Sequence, residues 1–174
     1  MENNKKFFVL KRIIWFLPIQ LIAFILPNAL FLAIYSVIEE YITISDNILF
    51  GIIYVMAFIL GAVSTYVTGR LFFKNNVEKG MVKKIVIGLL ITQVLFALAV
   101  YVTGNNVIDT AIETLRQQAD IKKVLLGEHY YNLMLDNTLK VLKNVCLIAI
   151  VSHVIGGCIS TTVLGIKLNK ELTK

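Results

Sequence analysis

Residues 48–69 read ILFGIIYVMAFILGAVSTYVTG and contain no Asp, Glu, Lys or Arg. One helix needs roughly 20 mostly apolar residues to cross a bilayer core about 30 Å thick. A helix of a water-soluble domain instead shows an apolar stripe on one side and polar residues on the other. The stretch therefore predicts a helix that spans a membrane.

Three further stretches share this uncharged, apolar character, and they cover residues 13–38, 85–103 and 145–166. The 174-residue chain is 57% hydrophobic and 16% charged, whereas soluble domains are about 45–50% apolar and about 25% charged. This composition excludes a disordered chain and argues against a water-soluble enzyme. We predict an all-α, polytopic membrane protein, with a four-transmembrane-helix bundle that forms a single domain over residues 1–174.

Positively charged residues are distributed unequally among the segments that flank these spans. The N-terminal segment holds four, the second connection five and the tail three, whereas the first connection, residues 39–47, holds none and carries Glu39, Glu40 and Asp46. Lys and Arg collect on the cytoplasmic side of membrane proteins. We therefore expect an integral protein of the plasma (inner) membrane with both termini in the cytoplasm.

The collection of Lys and Arg on the cytoplasmic side also accounts for the net charge of +6. The expected partner is therefore the lipid bilayer and not a nucleic acid. A cleavable signal peptide is not expected, because the first apolar region is too long and no small-x-small cleavage site precedes Glu39.

Residues 104–144 form the only predicted connection long enough for structure of its own. Apolar residues recur there at helical spacing, first at Ile108, Ile112, Leu115 and Ala119, then at Tyr131, Leu135, Leu142 and Val145. The pattern predicts a helical extramembrane segment between the third and fourth spans. Two interpretations stay open: the apolar stripe packs on itself and on a partner or neighbouring subunit, or it lies in the membrane interface with Tyr130 and Tyr131 as anchors.

Polar side chains within the spans are candidate functional residues, because in lipid they need a partner or a wet cavity. They are Gln20, Asn28, Gln93, Ser152 and His153. Counted at about 1.5 Å per residue, Gln20 falls at the depth of Gln93, and Asn28 at that of His153. This predicts two hydrogen-bonded layers between helices; alternatively, the five residues line a permeation pathway.

Small residues recur at four-residue spacing in two spans. The second span has Ala57, Gly61, Thr65 and Gly69, and the fourth has Gly157, Thr161 and Gly165 on one face and Ser152, Gly156 and Ser160 on another. Such seams let helix backbones approach closely. Because the fourth span carries two seams, we expect it to contact two neighbours; for one of them, a helix of a second copy of the chain is an open alternative.

The first span contains Pro18 and Pro27, each of which removes a backbone hydrogen bond from the preceding turn. This predicts a kinked helix. The alternative is a re-entrant hairpin that turns at Pro27 and Asn28.

The residues that enzyme chemistry requires are missing from the sequence. It has no zinc-ligand spacing, no phosphate-binding glycine loop and no G-x-S-x-G motif, so we expect neither a cofactor nor enzymatic activity. Two functions remain. One is a non-enzymatic membrane subunit that packs with itself or a protein partner through residues 104–144 and the fourth-span seams. The other is a small oligomeric channel or transporter-like pathway lined by the five polar residues.

Overall fold

The computed structural model describes residues 2–38, 45–74, 77–118 and 127–173. It contains four long helices, α1 (Glu2–Ile38), α2 (Asp46–Phe73), α3 (Val82–Gln118) and α4 (Glu128–Glu171), with a short 3-10 turn at Lys79–Met81 before α3. Each of the four is long and apolar enough to cross a membrane. The protein is thus all-helical in the described residues, and its helices indicate an integral membrane protein. Glu39, Glu40 and Ala119 lie outside the described residues.

Each helix contains its predicted span and continues beyond it. The third span was expected to end at Thr103, yet α3 runs to Gln118, and α4 begins at Glu128, well before the expected Val145. Hydropathy marks only the apolar part of a helix, whereas backbone hydrogen bonding continues into polar sequence. Helix α1 is continuous through Pro18 and Pro27, so the re-entrant alternative is wrong.

The helices are arranged as a ring in the order α1, α2, α4, α3. Helices α2 and α3 each pack against both α1 and α4, and the α2–α4 contact is the most extensive. This order places α1 diagonally opposite α4, and α2 diagonally opposite α3. Side chains that join diagonal helices therefore meet on the axis of the bundle.

Two apolar clusters fill the bundle, and polar residues lie between them. The first cluster includes Phe16, Phe73, Leu89 and Leu164, and the second includes Phe24, Ala57, Phe96 and Ile150. On α1 the order is Phe16, Gln20, Phe24, and on α3 it is Leu89, Gln93, Phe96. Both helices thus pass from one apolar cluster through a polar residue into the other.

Glycines bring the backbones of α2 and α4 into direct contact. A Cβ atom at Gly61 would meet the backbone carbonyl oxygen of His153, and one at Gly156 would meet that of Phe58. Close approach of this kind favours helix association in membranes through dispersion contacts. The two glycines are therefore required for the α2–α4 spacing.

The ends of α3 and α4 pack on each other in what we call the α3–α4 extension, residues 104–118 and 128–144. Ile112, Tyr131 and Leu135 form a small buried cluster between the two helices, and the Tyr131 hydroxyl donates to the Leu115 carbonyl oxygen at 3.2 Å. Two ion pairs flank the cluster, Arg116–Asp136 and Lys143–Asp109, each at 2.7 Å. The apolar stripe of this segment thus packs on itself.

Candidate functional site

All four helices contribute to a polar layer on the bundle axis, formed by Gln20 of α1, Ser64 and Thr65 of α2, Gln93 of α3 and His153 of α4. Gln20, Thr65, Gln93 and His153 are each 0% exposed, so no water-sized sphere reaches their side chains. Buried polar groups of this kind must find hydrogen-bond partners within the protein.

Hydrogen bonds converge on the side-chain oxygen of Gln20. Its Oε1 accepts from Ser64 Oγ at 3.0 Å and from Thr65 Oγ1 at 3.5 Å, and it lies 3.1 Å from His153 Nε2. With an amide oxygen as the acceptor, the proton of the neutral imidazole is assigned to Nε2. This bond joins the diagonal pair α1 and α4.

The second diagonal is joined by Gln93, whose Nε2 donates to Thr65 Oγ1 at 3.0 Å. Thr65 in turn donates to Gln20, so one connected network reaches all four helices. Interhelical hydrogen bonds in membranes contribute on the order of 0.6–2 kcal/mol each. The layer therefore stabilises the bundle and fixes which helix faces meet.

Aromatic side chains enclose the imidazole of His153. The Phe96 ring stacks on it with a centroid distance of 4.5 Å, and the Phe24 ring meets it edge-on at 5.2 Å. The Nδ1 atom is buried and makes no hydrogen bond. The ring is therefore held in one orientation, with Nε2 directed at Gln20.

The structure brings together three of the five predicted polar residues, Gln20, Gln93 and His153. Asn28 instead donates from Nδ2 to the carbonyl oxygen of Phe24 at 2.6 Å, one turn back on α1. Ser152 is half-buried beside His153 and stays outside the layer. The layers thus differ from those expected, because His153 bonds Gln20 and not Asn28, and Gln20 reaches Gln93 only through Thr65.

Counting depth along each helix missed this arrangement because it ignores helix tilt and side-chain length. It placed Ser64 near the depth of Gln20 and Gln93, but it missed Phe24 and Phe96 as members of the site. A signal was present, since Phe24 follows Gln20 by four residues and Phe96 follows Gln93 by three. Such spacings place side chains on the same helix face.

The small-residue seams face helices of the same chain. A Cβ at Gly157 would lie 2.6 Å from the Gln93 carboxamide, and one at Gly165 would lie 2.6 Å from Val86 Cγ2, so this face of α4 meets α3. The face that holds Gly156 meets α2, and a Cβ at Gly69 would meet the side chain of Leu164. Ala57, Thr65, Ser160 and Thr161 are also buried. The two neighbours of α4 are thus α2 and α3.

Several buried polar atoms have no hydrogen-bond partner: Gln20 Nε2, Gln93 Oε1, His153 Nδ1 and Thr161 Oγ1. The layer carries no carboxylate, Lys or Arg, so it is a neutral hydrogen-bonded network. Over residues 2–38, 45–74, 77–118 and 127–173, no group of three or more His, Cys, Asp or Glu residues is placed to share a metal ion.

No protein-family model matches the chain, and no curated protein and no solved structure is significantly similar to it.

Proposed function

We propose that this chain is a non-enzymatic integral membrane subunit that packs with itself or with a protein partner through the α3–α4 extension. The observation that carries the proposal is the complete burial of Gln20, Gln93 and His153. These side chains bond to one another and to the hydroxyls of α2, which supports a role in holding the helices together. A polar passage would instead leave them in contact with water.

The α3–α4 extension is the proposed binding surface, and we place it outside the membrane. Helices of 37 and 44 residues are about 55 and 66 Å long at 1.5 Å per residue, well beyond a hydrocarbon core of about 30 Å. The exposed ion pairs of the extension also suit an aqueous environment better than lipid.

Large apolar side chains remain exposed on the extension after its own cluster has formed. They include Val107, Leu133, Met134 and Val141. Near the start of α2, a cavity of about 440 Å³ is lined by Leu133, Met134 and Val141 together with Asp46 and Phe50. Exposed apolar groups outside lipid are typical of protein–protein contact surfaces. The seams of α4 do not offer a comparable surface, because α2 and α3 fill them.

Orientation is proposed from the distribution of charge. Arg70, Lys84 and Lys167 lie at the end of the bundle that holds the first apolar cluster, and the extension lies at the opposite end. The preference of basic residues for the cytoplasm then places both termini inside, in the plasma (inner) membrane. The extension faces the outside.

The test is the mass of the assembly in lipid nanodiscs, with every chain in it identified. The wild type is expected to form a complex that contains more than one chain. If the complex contains a different protein, that protein must bind again after the two have been purified separately. Leu133→Glu places a charge on the exposed apolar surface and is expected to reduce the complex to single chains. The matched control Asn169→Glu adds the same charge at an exposed polar position of α4 outside the extension and should leave the complex intact. A wild type that remains a lone chain at every concentration contradicts the proposal.

A permeation pathway is the second candidate, and the unpaired polar atoms of Gln20, Gln93 and His153 favour it. In an open conformation these atoms would bind water or a permeating ion. Ion flux into liposomes discriminates between the two functions. The subunit function predicts background flux for the wild type and for His153→Leu alike, whereas flux that is lost in His153→Leu supports the pathway.

A further inference from the structure

A groove of about 670 Å³ runs between α1 and α3 on the lipid-facing side of the bundle. Leu10 and Ile14 form its α1 wall, Ile87 and Ile91 form its α3 wall, and all four side chains are exposed. Ligand sites in proteins commonly have volumes of about 300–1,000 Å³. The groove is therefore large enough to hold part of a small amphipathic molecule.

The floor of the groove offers a ligand no hydrogen bonds. Ile13 lies over Gly88, where a Cβ atom would come within 2.5 Å of Ile13 Cδ1. Within the described part of the chain, Thr92 is the one uncharged polar residue of the lining, and its hydroxyl already donates to the Leu89 carbonyl oxygen at 2.7 Å. The complementary ligand is thus an apolar chain.

One end of the groove is positively charged. Among the residues that the structure describes, Lys84 is the only charged one that lines the groove, and Lys11 is a second exposed cation beside Leu10 on α1. From Lys84 the α3 wall extends to Leu95, a distance of about 16 Å along the helix. This length is close to half of a hydrocarbon core of about 30 Å, which is the thickness of one leaflet.

We infer that this groove binds one anionic phospholipid, with an acyl chain between α1 and α3 and the headgroup phosphate at Lys84. The apolar walls match the acyl chain, and the ammonium group at the end matches the phosphate. Basic residues at the membrane surface attract anionic lipids in this way. The site lies away from the α3–α4 extension, so it does not depend on the proposed partner surface.

The experiment is native mass spectrometry of the full chain, delipidated and then titrated with phosphatidylglycerol or phosphatidylcholine of identical acyl chains. The wild type is expected to retain one phosphatidylglycerol in preference to phosphatidylcholine. Lys84→Gln is expected to reduce this retention about fivefold, the effect of one basic residue near a membrane surface. Lys83→Gln is the matched control, because Lys83 is the exposed neighbour of Lys84 and does not line the groove.

A second variant tests the acyl chain. Ile91→Trp fills the groove and should reduce the retention of both lipids, whereas Leu98→Trp, at an exposed position of α3 outside the groove, should not. If Ile91→Trp does not fold, Ile87→Trp on the same wall replaces it. Glycerol phosphate, which lacks acyl chains, should not compete with the lipid.

Three results overturn the inference. The first is equal retention of the two lipids by the wild type, and the second is an equal loss in Lys84→Gln and Lys83→Gln. The third is displacement of the lipid by glycerol phosphate at matched concentration, which would indicate an anion site that takes no acyl chain.

Discussion

At the scale of single residues, the Gln20 carboxamide and Gly61 determine how the helices meet. The oxygen of Gln20 accepts from side chains of α2 and α4, while the missing side chain of Gly61 lets the His153 carbonyl approach α2. When a buried donor loses its acceptor, the folded protein loses about 1–3 kcal/mol of stability. Close backbone approach and the hydrogen bonds of the polar layer therefore depend on each other at the same depth of the bundle.

Gly61→Ala is expected to destabilise the protein by about 1–3 kcal/mol, the usual cost of overpacking. The added methyl group would meet the backbone of His153, which cannot move without shifting α4. Gly51→Ala is the matched control on the same helix, since a Cβ there has nothing within 4 Å. Thermal unfolding in detergent should show a lower midpoint for Gly61→Ala only, and equal midpoints for the two variants would contradict the α2–α4 contact.

At the scale of elements, the α3–α4 extension is held together by a small cluster and by exposed ion pairs. Exposed ion pairs contribute only about 0–1 kcal/mol each. The cluster of Ile112, Tyr131 and Leu135 is nearly fully buried, and burial of such side chains contributes about 1.5–3 kcal/mol each. The cluster, and not the charges, is therefore the main source of stability in the extension.

Leu135→Ala is expected to loosen the extension and to leave the rest of the bundle intact. Leu135 is 4% exposed, whereas Leu147 on the same helix is 44% exposed, lies outside the extension and provides the control Leu147→Ala. Hydrogen exchange should speed up in residues 104–118 and 128–144 in Leu135→Ala only. Unchanged exchange in that variant would show that the two helix ends do not pack as described.

The ends of α2 and α4 are joined by an ion pair that makes stability depend on pH. Arg70 Nη1 donates to both carboxylate oxygens of Glu171, at 2.8 and 2.7 Å, and this hydrogen bonding lowers the pKa of Glu171 below its ordinary value of 4.5. A lowered carboxyl pKa stabilises the fold above the ordinary value, and the effect is lost as the pH falls through the lowered one.

We therefore expect the wild type to melt at a slightly higher temperature than Glu171→Gln at neutral pH. The difference should vanish well below pH 4.5, because the wild-type carboxyl is then also uncharged. A difference that persists in acid would rule out the charge of Glu171 as its cause.

The sequence predicted the number of long helices and the apolar centre of each, because a bilayer imposes a minimum length of uncharged residues. It also predicted helical structure in residues 104–144 from the spacing of apolar residues, with the second helical pattern running into the fourth span. It did not predict that α3 continues into this segment without a break, since polar residues such as Asn106 interrupt the hydropathy. Gln20 and Gln93 were placed at one depth by counting. The partner of His153 was not predicted correctly, because the side chain of Asn28 donates instead to a backbone carbonyl of its own helix.

At the scale of the whole molecule, a neutral polar layer separates two apolar clusters along the axis of the bundle. The layer joins both diagonal helix pairs, and the side chains of Gln20, Thr65, Gln93 and His153 are fully buried in it. A membrane bundle built in this way gains specific helix pairing from its polar residues, and under the proposed subunit function it opens no passage for solutes. We therefore expect the polar layer to be inaccessible to water and to solutes in the folded protein.

Reaction of a cysteine in the layer with a charged thiol reagent tests this claim most directly. Thr65→Cys is close in size to the native side chain, and Cys146 and Cys158 are first replaced by Ala, since both are free thiols. In proteoliposomes the reagent should label the control Thr114→Cys, which is exposed in the α3–α4 extension, and leave Thr65→Cys unmodified until the protein is unfolded. Labelling of Thr65→Cys in the folded protein at the rate of the control would contradict a sealed layer.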